Sequence, residues 1–261
     1  MLVRYNMEVT ALASGSSGNC FYIGNSKEAV LIDAGISAKQ IIQRMRMLGL
    51  DSKKVKALFI THEHIDHIRG ADVLARQLGI PVYATKKTLQ NGFICSDEKL
   101  LKAIRSGDEL KIGKLFIESF SKSHGAAEPV SYTVVDKKRV AVITDAGYAC
   151  KNIKKHISDS DFLFLESNHD EKMLEKGPYP YFLKKLISSD LGHLSNLQAG
   201  LCVLECASPN LLHVILSHLS RTNNTPELAL KTFNSLLKER KDFRAEVHVS
   251  LGEEPTKLFN L

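Results

Sequence analysis

Apolar residues in this chain fall into short blocks broken by glycine-, serine- and asparagine-rich turns. Residues 9–13, 20–23 and 29–32 are runs of strand length, separated by Ser14-Gly15-Ser16-Ser17-Gly18 and Gly24-Asn25-Ser26. Ile41, Ile42, Met45 and Leu48 then share one helical face, with Gly49 as the stop. Ile68, Ala71, Leu74, Ala75 and Leu78 repeat that spacing and predict a second helix, closed by Gly79 and Pro81. Strands are predicted again at 115–120, 130–135 and 140–143, the last two joined by a charged turn at 136–138. The second half alternates: a strand at 162–165, helices near 181–187 and 197–206, and a strand at 213–216. A last helix opens at Thr225-Pro226-Glu227, with proline at its first position. No repeat, low-complexity block or linker interrupts the 261 residues, so residues 1–261 are expected to form a single domain.

The ends of these strands carry the chemistry. Leu58-Phe59-Ile60 runs into Thr61-His62-Glu63-His64-Ile65-Asp66-His67, which puts three imidazoles and a carboxylate in one short stretch of chain. His62 and His64, two apart on extended chain, can point the same way, while Asp66 and His67 face a neighbouring point. Imidazole with carboxylate suits Zn²⁺, Mn²⁺ or Fe²⁺, and the segment can serve two ions. A solvated histidine-rich turn explains such a spaced set poorly. Four more predicted strands lead to a ligand type within a few residues: to His124, Asp145, Glu166 and His218. Taken singly, each has an ordinary explanation as a loop histidine, a turn aspartate or a strand-end cap. Five such strand ends together describe a site built on a rigid scaffold.

Composition narrows the setting. The five cysteines, Cys20, Cys95, Cys150, Cys202 and Cys206, are odd in number and scattered, with no CxxC pair. That argues against a disulfide framework and for a reducing, cytoplasmic compartment. No apolar stretch approaches the roughly 20 residues that span a bilayer, and residues 1–9, with Arg4 and Glu8, lack a signal-peptide block. No membrane partner is expected. The formal charge of +6 leans towards a polyanionic partner. The lysine groups, such as Lys53-Lys54 and Lys184-Lys185, also fit ordinary solvated surface.

His62-x-His64-x-Asp66-His67, followed in order by His124, Asp145 and His218, resembles the metallo-β-lactamase superfamily. The resemblance implies an α/β fold, an αββα sandwich of two mixed β-sheets flanked by helices, with the site at the strand ends. It implies two divalent ions, Zn²⁺ or Mn²⁺ with Fe²⁺ as a further option. His62, His64 and His124 would hold one, Asp66, His67 and His218 the other, and Asp145 would bridge them. Leu165-Glu166-Ser167, Gly192-His193-Leu194-Ser195 and Leu216-Ser217-His218-Leu219-Ser220 are similar to motifs of the tRNA 3′-processing ribonucleases. There a Glu and a His, here Glu166 and His193, protonate the leaving oxygen. Five further stretches are similar to the YycJ/WalJ-like group of bacterial metallohydrolases. They are Ser14 to Asn19, Glu166 to Asp170, Gly177 to Tyr181, Gly192 to Asn196 and Asn223 to Pro226. That group implies a nucleic-acid substrate, DNA, and 5′-to-3′ exonuclease activity through a metal-bridging hydroxide that Asp66 also orients.

Substrate contacts are expected from Ser16, Ser17, Asn19, His169 and Ser195. The loop from Ser14 to Asn19 either offers N–H and hydroxyl groups to a phosphate or is a plain hairpin turn. His169 lies in Asn168-His169-Asp170, which either touches substrate or caps the next helix. Tyr179 and Tyr181 suit a lip on which a base stacks. His193 has its own bland reading as a helix-start or packing residue, and His156, His213 and His248 have no context beyond surface or core. No insertion is long enough for the substrate arm or added domain of the RNA-processing relatives, so grip must come from the core domain. Two other functions fit the same ligands: a glyoxalase-type thioester or lactone hydrolase, and a regulatory protein that binds metal without turnover. The Glu166/His193 pair favours phosphodiester cleavage, because an alkoxide leaving group gains more from protonation than a thiolate does. Oligomeric state is left open.

Overall fold

The computed structural model describes residues 7–261, so the reading of Arg4 and its neighbours lies outside the described residues. The first sheet takes β1 (Glu8–Ala13), β2 (Cys20–Gly24), β3 (Ala29–Ile32), β4 (Val55–Phe59), β5 (Val82–Thr85) and β6 (Leu101–Ile104). The second takes β7 (Glu109–Ile112), β8 (Leu115–Ser121), β9 (Val130–Val135), β10 (Arg139–Ile143), β11 (Phe162–Glu166), β12 (His213–Ser217) and β13 (Glu246–Val249). The C-terminal β14 (Phe259–Asn260) returns to the first sheet beside β1, which makes both sheets seven-stranded. Helices are α1 (Ala38–Met47), α2 (Ile65–Ile68), α3 (Ala71–Leu78), α4 (Lys86–Asn91), α5 (Lys151–Ser158), α6 (Glu171–Lys176), α7 (Tyr181–Ile187), α8 (Asn196–Cys206) and α9 (Pro226–Leu237).

Each sheet is mixed. Strands β1 to β3 are antiparallel and β3 to β6 parallel. Likewise β7 to β10 are antiparallel and β10 to β13 parallel. Alternation along each strand sends one set of side chains between the sheets, where Phe21, Phe59, Tyr132, Phe162 and Phe164 are fully buried. The opposite face of the first sheet packs on Ile41 and Met45 of α1 and on Leu74 of α3. That of the second packs on Ile153 of α5, Val203 of α8 and Phe233 of α9. This is the αββα sandwich that the family resemblance implies.

Two sequence expectations need correction. The apolar face from Ile68 to Leu78 is not one helix but α2 and α3, broken at Gly70. Gly70 N–H bonds Ala34 O at 2.8 Å, and a Cβ there would sit 2.2 Å from Ile36 O. The sequence pattern does not predict strands β5 and β14, which are short, nor β6, β7 and β13. The last three are thinly buried, so their apolar alternation is weak.

The parallel strands deliver the site. Their register sets Ile143 beside Leu165 and Leu165 beside Leu216, so Asp145, Glu166 and His218 emerge from one end of the second sheet. Asp33 and His62 emerge after β3 and β4 of the first. Among the described residues, the non-glycine residues with left-handed backbone are Asp33 (φ 61°), Asp145 (φ 53°) and His218 (φ 56°). Each costs about 1–2 kcal/mol relative to ordinary backbone, and all three lie at these strand ends, where strain marks a site. Gly35 locks the first sheet to the histidine loop: its N–H bonds Asn19 O at 2.7 Å, and a Cβ would lie 1.6 Å from Asp66 O. Gly35→Ala is expected to cost about 1–3 kcal/mol by overpacking, read as a lower urea midpoint; an unchanged midpoint would contradict this packing.

Candidate metal centre

Imidazole nitrogens converge at two adjoining points. At the first, His62 Nε2 lies 3.0 Å from His64 Nδ1, which lies 3.4 Å from His124 Nε2. At the second, His67 Nε2 lies 3.4 Å from Asp66 Oδ2, and His218 Nε2 lies 3.5 Å from the same oxygen. Asp145 stands between them: Oδ2 is 3.2 Å from His67 Nε2, and Oδ1 is 3.5 Å from His218 Nε2 and 3.9 Å from His124 Nε2. Donors around a tetrahedral Zn²⁺ with bonds of about 2.0–2.1 Å lie roughly 3.3 Å apart, close to most of these separations. All seven predicted ligands are thus brought together.

The outer nitrogens fix which lone pairs point inward. His67 Nδ1 is 2.7 Å from Asp33 Oδ2, His62 Nδ1 2.9 Å from Thr61 Oγ1, His124 Nδ1 3.0 Å from Gly192 O, and His218 Nδ1 2.9 Å from Glu166 Oε1. With Nδ1–H of His67 and His218 donated outward, their Nε2 atoms in the neutral form are acceptors facing another acceptor, Asp145. Asp145 Oδ2 and His218 Nε2 are buried without a hydrogen-bond partner. Only a proton or a cation resolves such a cluster, so the donor set fits divalent metal.

Charge tells the same story. Burial opposes a charged imidazole at His67, yet Asp145, Asp33 and Asp66 hold its pKa well above the ordinary value. At His218 burial is likewise overridden, by Asp145, Asp66 and Glu166, and the pKa rises to about 10. His62 and His124 are held neutral instead: burial lowers both, His124 to about 4. The carboxylates therefore draw protons to one half of the centre in the metal-free protein, where cations would supply the same charge.

Glu166 is fully buried and accepts four bonds. Oε1 takes His193 Nδ1 and His218 Nδ1, both at 2.9 Å; Oε2 takes Ala146 N–H at 2.8 Å and Leu194 N–H at 3.0 Å. Burial would raise its pKa, but His193 and these bonds bring it down to about 2. It is a positioning residue, not itself a proton donor. His193 is 21% exposed and lines a cavity of about 350 Å³ with Ser16, His64, Asp66, Leu186 and Leu191.

The expected substrate contacts divide. Ser16 is exposed in that cavity, and Ser17 lines the neighbouring one beside Arg221. Asn19 is buried, with Nδ2 3.2 Å from both Gly15 O and His67 Nε2, so it braces the histidine loop. Ser195 caps α8, accepting Gln198 N–H and donating to Glu171 at 3.0 Å, which commits its buried hydroxyl. His169 is buried on a separate cavity with Tyr181 and Lys184.

Sequence reasoning missed Asp33, Thr61, Glu63 and Lys122. Asp33 accepts from Thr61 N–H at 2.8 Å besides holding His67. Glu63 turns away from the centre to accept Ala127 N–H at 2.7 Å, tying the histidine loop to the loop carrying His124. Lys122 is buried, its Nζ donating to Thr144 O at 2.6 Å; burial lowers its pKa against the pull of Asp145, Asp33, Glu166 and Asp66. Only the direct placement of Lys122 two residues before His124 hinted at any role.

Residues 13–157 match the family model described as Metallo-beta-lactamase superfamily. The chain is 38% identical over 262 residues to a Bacillus anthracis protein named Exodeoxyribonuclease YycJ, covering 97% of this chain and 98% of that one. It is 38% identical over 229 residues to Exodeoxyribonuclease WalJ of Streptococcus pneumoniae, covering 85% and 84%. The solved metallo-beta-lactamase fold protein YhfI of Bacillus subtilis superposes with a TM-score of 0.72 at 18% identity, covering 97% and 99%.

A cation entering between Asp66, His67 and His218 must displace the protons that the raised pKa values of His67 and His218 hold at neutral pH. Metal uptake at pH 7.5 is therefore expected to release protons, and affinity to fall as pH drops. Calorimetry in buffers of different ionisation enthalpy reads this; no net release would contradict the charge pattern.

Proposed function

Because the chain belongs to the metallo-β-lactamase superfamily, whose members here include relatives named exodeoxyribonucleases, we propose a dinuclear metal-dependent phosphodiesterase that removes nucleotides from DNA in the 5′-to-3′ direction. It is a metal-dependent hydrolase by family. The observation that carries the phosphodiesterase reading is His193, gripped at Nδ1 by buried Glu166 and placed beside both donor groups.

His62, His64 and His124 would hold one ion and Asp66, His67 and His218 the other, with Asp145 placed between the two groups. Two divalent ions at such a centre, Zn²⁺ or Mn²⁺, supply charge neutralisation on phosphate oxygens and a lowered pKa for water. Asp66, 18% exposed, orients the attacking water from the cavity side. Glu166 keeps Nδ1–H of His193 occupied, so Nε2 is the nitrogen offered to the substrate. As the new P–O bond forms and the old one breaks, Nε2–H of His193 passes its proton to the departing sugar oxygen. Tyr181 and Phe182, 74% and 73% exposed on α7, offer faces for unstacked bases, while Leu183, Leu186 and Ile187 of the same helix line the cavity.

The test is cleavage of 5′- and 3′-labelled DNA and RNA by metal-stripped protein resupplied with Mn²⁺ or Zn²⁺. Stepwise loss from DNA 5′ ends is expected; fully metallated protein that cleaves no strand overturns the reading. His193→Ala should lower kcat about 10²–10⁴-fold with metal content unchanged; loss of metal would make His193 a ligand. Tyr181→Ala with Phe182→Ala should raise KM for single-stranded ends, at about 1–3 kcal/mol per stacked base, and leave kcat in place.

A further inference from the structure

A second group of metal-ligand side chains lies at the opposite end of β12 from His218. His213 opens that strand, five residues earlier, about 16 Å away at the usual strand rise. Parallel pairing sets His213 opposite Glu246 and Ile215 opposite His248. Ile215 belongs to the core between the sheets, whereas Val214 and Leu216 face the helices. His213, Glu246 and His248 therefore share the inward face of the second sheet, at its open edge. An apolar residue is the expected occupant of such a position, and three ligand types stand there instead.

Their donor atoms converge, with one hydrogen bond among them, between His248 Nε2 and Glu246 Oε2. Glu246 Oε2 lies 3.2 Å from His248 Nε2 and 3.6 Å from His213 Nδ1, and the three donor atoms all fall within 4.8 Å of one another. The longer distance exceeds the 2.7–3.2 Å range of an N–H···O hydrogen bond, and His213 Nδ1 is buried without a partner. Tetrahedral Zn²⁺ sets its donors roughly 3.3 Å apart, between the two observed values. Phe259 of β14 walls the group, its ring 5.0 Å from that of His213 and 5.2 Å from that of His248.

The geometry points to a further metal site, with His213 Nδ1, Glu246 Oε2 and His248 Nε2 holding one Zn²⁺ or similar borderline ion and solvent taking the open position. Its work is structural: it clamps the edge strand β13 to β12. That strand leads into residues 250–254, which line the cavity beside Ser14 and Ser17 and whose Gly252 and Glu253 carbonyls accept from Arg44. Inward charge on an edge strand also deters pairing with other chains, but that purpose needs no convergence of three donors on one point.

Zn²⁺ content is measured after gel filtration without free metal, for wild type, His248→Ala and Glu246→Gln. Glu246 is 63% exposed, so the isosteric Gln variant folds even if His248→Ala does not. Wild type should hold one more equivalent than either variant, a difference that stands whether or not the main centre is dinuclear. Co²⁺ loaded in place of Zn²⁺ should lose the matching tetrahedral absorption, and added Zn²⁺ should raise the melting temperature of wild type more than that of the variants. DNA cleavage by the variants should be retained. Equal Zn²⁺ content in all three proteins, or an extra equivalent held only at millimolar free metal, overturns the proposal.

Discussion

Asp145 faces two imidazole nitrogens, His67 Nε2 and His218 Nε2, that in the neutral rings have nothing to donate. The other nitrogens of those rings are bound outward, His67 to Asp33 at 2.7 Å and His218 to Glu166 at 2.9 Å. Acceptors buried against acceptors are costly, by about 1–3 kcal/mol per unsatisfied group and more when charged. Everything around the centre makes sense as support for that unfavourable grouping. Asp33 and Glu166 aim the rings, Asn19 and Gly35 brace the loop that carries Asp66 and His67, and Lys122 lies buried among the carboxylates. A grouping that protons or cations must neutralise is what a hydrolytic metal centre requires.

The scaffold absorbs the strain at its strongest points. Asp33, Asp145 and His218 adopt left-handed backbone where buried parallel strands stop. Neighbouring bonds hold them: Asp33 N–H to Phe59 O at 2.8 Å, and His218 N–H to Ser14 Oγ at 2.8 Å. Parallel strands buried on both faces give a rigid register, so ligands from four loops meet at separations between 3.0 and 3.9 Å.

Much of this was legible in the chain. His62, His64, Asp66 and His67 are contiguous, and His124, Asp145, Glu166 and His218 each follow a strong apolar strand. The sandwich itself came from the family resemblance, since periodicity predicts strands and not which sheet they join. Asp33 escaped because Asp33-Ala34-Gly35 reads as a turn, and its role depends on a ring 34 positions away. Lys122 escaped because a lysine is normally a surface residue. The burial of Asn19 and Ser195 was not legible for the opposite reason: polar residues beside glycines look exposed, while tertiary contacts bury both. His213, Glu246 and His248 lie in or beside a weak edge strand, and only the pairing of β12 with β13 brings them together.

Whether the seven side chains form one centre for two cations is read from an anomalous-scattering map of crystals grown with Mn²⁺. One peak is expected among His62, His64 and His124, another among Asp66, His67 and His218, with Asp145 in contact with both. A single peak shared by all seven, or none at this place in metal-saturated protein, would contradict a centre for two cations.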